Sequence, residues 1–91
     1  MLEVKHLKSI VAIYRAGSLT RASEQLHVTP SALSHQIKSL EDRLNQRLFY
    51  RNPPIRLTEE GLILLKCAEK VLPELQSTED KLKDVFSQQK K

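Results

Sequence analysis

Glycine occurs only twice in these 91 residues, which leaves no material for the glycine-rich loops that cradle nucleotide phosphates. Cysteine occurs once, at Cys67, so no internal disulfide can form and no second thiol stands at zinc-ligand spacing. Its small apolar side chain suits a helix face. Long hydrophobic runs are missing too: Ile10–Tyr14 and Leu62–Leu65 fall far short of the ~20 apolar residues of a membrane-spanning helix. The opening MLEVKHLK carries charge where a secretory signal needs its apolar centre, so the chain is expected to stay in the cytoplasm, away from membranes. Nor do the polar residues form a catalytic set. His6, His27 and His35 fall on different segments, no serine has a paired histidine and acid, and Glu41 and Asp42 are adjacent and so diverge from a helix. These absences exclude most enzymatic readings; neither a cofactor nor a metal is expected.

What is present is charge, unevenly placed. Residues 1–57 hold nine Lys/Arg against four acids, a surplus of five, whereas residues 58–91 hold six against seven. A basic head on a neutral stalk is the distribution of a polyanion-binding protein, although a surplus of this size also suits an ordinary solvated surface. At 10.5 kDa the chain has room for one small core.

Punctuation along the chain predicts a mainly α fold. A first helix runs from Val4 to Ala16 with Leu7, Ile10, Val11 and Tyr14 on one side, and ends at Gly17. Ser18 caps a short second helix, Leu19–Leu26, and Thr29 with Pro30 at the first helical position opens a third, reaching about Asn45. Leu48–Arg51 and Ile55–Leu57 suit two short strands around the turn Asn52-Pro53-Pro54. Thr58 caps a long fourth helix whose first turn carries Glu59 and Glu60. Its stripe Leu64, Ala68, Val71, Leu75, Leu82 and Phe86 holds one face for over five turns, with Leu62, Leu65 and Leu72 as a second face in its first half. Pro73 should bend this helix without breaking it. The order is that of a winged helix-turn-helix, three helices and a β-hairpin wing, at residues 1–57, followed by a linker helix at 58–91.

The third helix carries the functional signal. At about 100° per residue, Ile37, Leu40 and Leu44 fall within about 40° of Leu33, while Ser31, His35, Lys38 and Asp42 lie near the opposite side. Small hydroxyl, imidazole and ammonium groups at the start of an exposed helix can enter a major groove and bond to base edges or phosphates. Glu41 and Asp42 come later, where a tilted helix clears the phosphates.

The stretch GSLTRASEQLHVTPSALSHQIKSLEDRLNQRLF, with RLTEEG after the hairpin, closely resembles the N-terminal domain of LysR-type bacterial transcriptional regulators, from about Leu2 to the end of the fourth helix. The segments EVKHLK, SALSHQ and AEKVLPEL are most similar to the methionine-biosynthesis branch of that family. The resemblance implies binding of double-stranded DNA as a dimer, with the third helix in the major groove and the wing near the minor groove. Carried over by position, it places base reading on Pro30, Ser31, Ser34 and His35, and backbone contacts on Ser18, Thr20, Arg21, Lys38 and the wing's Arg51. Pro30 and His35 depart from the glutamine and arginine common among relatives, and the hairpin is one residue short, with Pro53-Pro54 in place of a glycine-containing tip.

The same resemblance implies a homodimer through the fourth helix, using Leu64, Ala68, Val71, Leu75, Leu82, Val85 and Phe86 against an antiparallel copy; no other element is expected to have spare apolar surface. It also implies an effector, homocysteine for the methionine branch, bound by a larger domain outside these residues. The chain is read as an excised piece, since its last helix ends in polar residues, and its small core is expected to leave no hollow of several hundred cubic ångströms. The alternative reading is a protein-binding winged helix with an incidental basic face.

Overall fold

In the structure, a computed structural model, residues 2–89 are described, with side chains as far as Val85. The order is α1 (Val4–Ala16), α2 (Leu19–Leu26), α3 (Pro30–Leu44), β1 (Phe49–Tyr50), β2 (Arg56–Leu57) and α4 (Glu59–Gln89). Each boundary has a local cause. Gly17 turns left-handed at φ 73° and its N–H donates to Ile13 O, ending α1. Ser18 Oγ accepts from Arg21 N at 3.1 Å and Thr29 Oγ1 from Ala32 N at 3.0 Å, opening α2 and α3. His27 and Asn45 adopt the left-handed conformation that closes those two helices, so Asn45 is the residue after α3. Thr58 Oγ1 accepts from Gly61 N and donates to Arg47 O, tying the start of α4 to the root of the hairpin.

The apolar sides meet in one core. Leu7, Ile10 and Ile13 of α1, Ala22 of α2, Leu33, Ile37 and Leu40 of α3, and Leu48 and Phe49 at the hairpin are all buried. Ser9 Oγ donates to Gln36 Oε1 at 2.5 Å, adding a polar link between α1 and α3. The wing is smaller than expected. Only Phe49↔Leu57 and Tyr50↔Arg56 pair as antiparallel strands, leaving Leu48, Arg51 and Ile55 outside the ladder. Phe49 faces the core and Tyr50 faces outward, the alternation of a strand with one wet side.

Two residues expected in the dimer interface are corrected by packing. Leu64 is 6% exposed and Ala68 fully buried, both in the head's own core, so neither can serve a second chain. Periodicity identifies their face correctly; α1 is what covers it, since α4 packs on α1 at its beginning. The head's core therefore runs past residue 57 into α4. Beyond Val71 and Leu72, which are half-buried against that core, the same helix continues through Pro73 into solvent, giving a molecule 55 Å long and 20–24 Å across.

Candidate nucleic-acid interface

Residues 27–29 connect α2 to α3, and the two helices pack against each other. On α3, Pro30, Ser31, His35 and Lys38 are exposed; on α2, Thr20 and Arg21 are exposed. Ser18 is half-buried and its hydroxyl oxygen already accepts the capping N–H of Arg21. Ser34 is also half-buried, one step around the helix from His35 and closer to the hairpin. Six of the nine sequence-predicted contact residues, Thr20, Arg21, Pro30, Ser31, His35 and Lys38, are thus open to solvent, and Ser18 and Ser34 are partly so.

Arg51 does not point outward as a wing contact would. Its Nη2 donates to Glu41 Oε1 at 2.8 Å and its Nη1 reaches Ser34 Oγ at 3.4 Å, leaving the side chain 31% exposed. Glu41 is the centre of this arrangement: its side chain is 11% exposed, and its other oxygen accepts from Leu48 N at 2.7 Å and Phe49 N at 3.4 Å. Burial pushes the Glu41 carboxyl up, but the Leu48 N–H, the Arg51 bond and charge, and the Phe49 N–H outweigh it, and the net shift is downward. A charged carboxylate therefore fastens α3 to the base of the hairpin.

On sequence alone Glu41 reads as a solvated acid. Its position is nevertheless a signal, since about 80° from Leu33 places it on the helix flank, whereas Asp42 faces fully outward. Arg47 and Arg56 likewise receive no role from the sequence. Both are exposed; the Arg56 guanidinium lies 5.6 Å from the centre of the Tyr50 ring, a cross-strand cation–π contact. Among the described residues Arg21, Lys38, Arg47 and Arg56 form no ion pair, so their charge is open to a polyanion.

Two further expectations change. A hollow of about 540 Å³ does exist, between the C-terminal half of α3 and the hairpin root; it is open and polar, lined by Lys38, Glu41, Asp42, Arg47 and Arg51 among others. The small core does not exclude it because it lies outside that core. Exposed apolar surface is likewise not confined to α4's stripe: Tyr14, Tyr50, Leu62 and Ile63 are exposed, with Tyr14 and Leu62 bordering a smaller cleft of about 240 Å³. Of the expected dimer residues, Leu75, Leu82 and Val85 are exposed and Val71 is half-buried, while the side chain of Phe86 lies outside the described residues. No helix among the described residues is long and apolar enough to cross a membrane.

Comparison with known proteins gives the arrangement a context. The chain is 53% identical over 76 residues to the HTH-type transcriptional regulator MetR of Escherichia coli K12, covering 82% of this chain and 24% of that protein. It is 45% identical over 67 residues to LysG of Mycobacterium bovis, covering 74% of this chain and 22% of that protein. It thus spans about a quarter of the length of the curated relatives it matches. Among solved structures, the BenM DBD in complex with catB site 1 DNA superposes with a TM-score of 0.87 at 31% identity, covering 94% of this chain and 98% of that one. Full-length LysG from Corynebacterium glutamicum with bound effector Arg gives the same TM-score at 29% identity, covering 96% of this chain and 30% of that one. The model of the bacterial regulatory helix-turn-helix proteins matches residues 4–62, and the chain belongs to their lysR family.

Proposed function

We propose that this chain is the sequence-specific DNA-binding part of a bacterial transcriptional regulator, acting on double-stranded DNA with α3 in the major groove and the wing near the minor groove. The observation that carries this reading is the outer face of α3, where Pro30, Ser31, His35 and Lys38 stand exposed, together with the exposure of Thr20 and Arg21 on α2. Ser31, Ser34 and His35 read base edges, and Pro30 adds at most an apolar contact there. Ser18, Thr20, Arg21 and Lys38 hold the backbone, joined by Arg47 and Arg56. Such a role is binding, not catalysis, and fits a cytoplasmic protein.

The bound form is a homodimer through the outer part of α4, where Leu75, Leu82 and Val85 are exposed on one face. Homocysteine, the effector implied by the methionine branch, acts through residues outside this chain. A salt titration of duplex binding tests the reading. If four cations per head, Arg21, Lys38, Arg47 and Arg56, meet phosphate, a dimer has eight such contacts and a log–log slope of about −7. Absence of duplex binding at low salt would overturn the proposal in favour of a protein-binding module.

A further inference from the structure

We infer that Glu41 is a positioning residue for base reading: it withholds the Arg51 guanidinium from phosphate and aims it along α3 at Ser34, whose hydroxyl is thereby set to donate to a base. The inference rests on the reading that α3 faces DNA. Ser34 and Glu41 lie on the same flank of α3 two turns apart, about 10 Å along the axis, and only a long forked cation reaches both. Arg51 does so from the hairpin, with Nη2 on Glu41 and Nη1 toward Ser34.

The arrangement is held from the Glu41 side. Its carboxylate is almost fully enclosed and receives two backbone N–H groups besides Arg51. Drawing Arg51 away to a phosphate would leave that enclosed charge without its counter-charge, which costs more than a solvent-exposed phosphate contact returns. Arg51 therefore contributes no phosphate neutralisation, although its place on the wing suggests one.

The consequence for Ser34 is directional. A guanidinium is a donor only, so Ser34 meets it through an oxygen lone pair. At 3.4 Å the contact is long, and the cation acts mainly through its field, which turns the hydroxyl proton away from Arg51. What Ser34 offers to the groove is then a donor. It selects base edges presenting acceptors, such as guanine O6 and N7 or thymine O4, over the amino groups of cytosine and adenine.

The test uses two duplexes, one selected by the unmodified protein from a random pool and a scrambled one of the same composition, titrated between about 50 and 200 mM salt. In Glu41→Gln the amide oxygen still accepts the Leu48 N–H while Arg51 is released. The scrambled duplex should bind more tightly, and the salt slope should steepen by about 0.9 per head, roughly a further threefold loss over that range. Preference for the selected base at one position should fall at least ~5-fold. Arg51→Met should lose preference at that same position with the slope unchanged, and it decides the question alone if Glu41→Gln does not fold. A slope that flattens by about 0.9 per head in Arg51→Met makes Arg51 a phosphate ligand and overturns the inference. So does a parallel loss on both duplexes in Glu41→Gln at constant slope, which makes Glu41 a structural brace only. Failure of the unmodified protein to select any consensus is a different result: it removes the DNA reading beneath.

Discussion

His35 stands exposed on α3 between Ser31 and Lys38, with an imidazole short enough to require close approach to whatever it reads. His35→Ala should cost about 1–3 kcal/mol at one base position and leave the others unchanged, whereas Arg21→Ala should weaken all sequences alike. Competition with singly substituted duplexes separates the two. These outward residues are legible in the sequence because a helix turns by a fixed angle, so the apolar side alone fixes which residues face away. Glu41 is not legible in the same way: its partners are backbone N–H groups seven and eight residues on, and they meet it only because the chain doubles back there. Buried titratable groups make a second prediction. His6 is buried with Nδ1 accepting from Glu3 N at 3.0 Å, and burial, partly opposed by Glu3 and reinforced by Arg43, Lys5 and the N-terminus, lowers its pKa from the ordinary 6.5. As pH falls below 6.5, the unfolded chain takes up a proton that folded His6 refuses, so stability declines towards the folded value. Glu41 repeats this below 4.5, where the unfolded carboxyl is protonated and the folded one stays charged. Denaturant midpoints measured against pH should show both declines, and His6→Gln, which keeps an acceptor for Glu3 N–H, should remove the first alone.

Elements are the most legible scale, because their ends are written in residues with one conformational use. The two glycines illustrate how differently such residues work. Gly17 needs its positive φ, but a Cβ there meets nothing within 4 Å, so Gly17→Ala should cost only the left-handed strain, about 1 kcal/mol. Gly61 sits in the first turn of α4 beneath the hairpin root, where a Cβ would collide with Leu48 O and lie 2.9 Å from Leu57 Cδ2. A backbone oxygen cannot step aside as a side chain can. Gly61→Ala should therefore cost at least ~1–3 kcal/mol and loosen the wing, and comparison of the two denaturation midpoints gives the ranking. The need for glycine at 61 is invisible in the sequence, since it arises from a strand folding back over a helix. The hairpin is shorter than its residues suggest for a related reason: β-favouring residues at 48–51 set a preference, but only two pairs form before the Asn52-Pro53-Pro54 turn, where proline nitrogens have no hydrogen to donate.

At the scale of the whole molecule, α4 belongs to two environments. One continuous apolar stripe runs along it, yet Leu64 and Ala68 close the head's core whereas Leu75 and Leu82, 39% and 64% exposed, stand largely uncovered by the described residues. A helical period reveals a face without revealing what lies against it, which is why the sequence assigns the entire stripe to a partner. The division yields a sharp contrast among substitutions on one helix face. Leu75→Glu with Leu82→Glu places charges only where the head makes no use of the side chains, so the head should keep its fold while the proposed dimer separates into monomers in sedimentation. Ala68→Glu, by comparison, forces a carboxylate into the core and should unfold the head itself. DNA binding then reports on the same change. A monomer would bring the four proposed phosphate contacts instead of eight, so the log–log salt slope of the double variant should fall from about −7 to about −3.6, with specific affinity reduced because two half-sites are no longer joined. A double variant that still sediments as a dimer would move the interface to the other exposed apolar surface, where Tyr14, Leu62 and Ile63 lie.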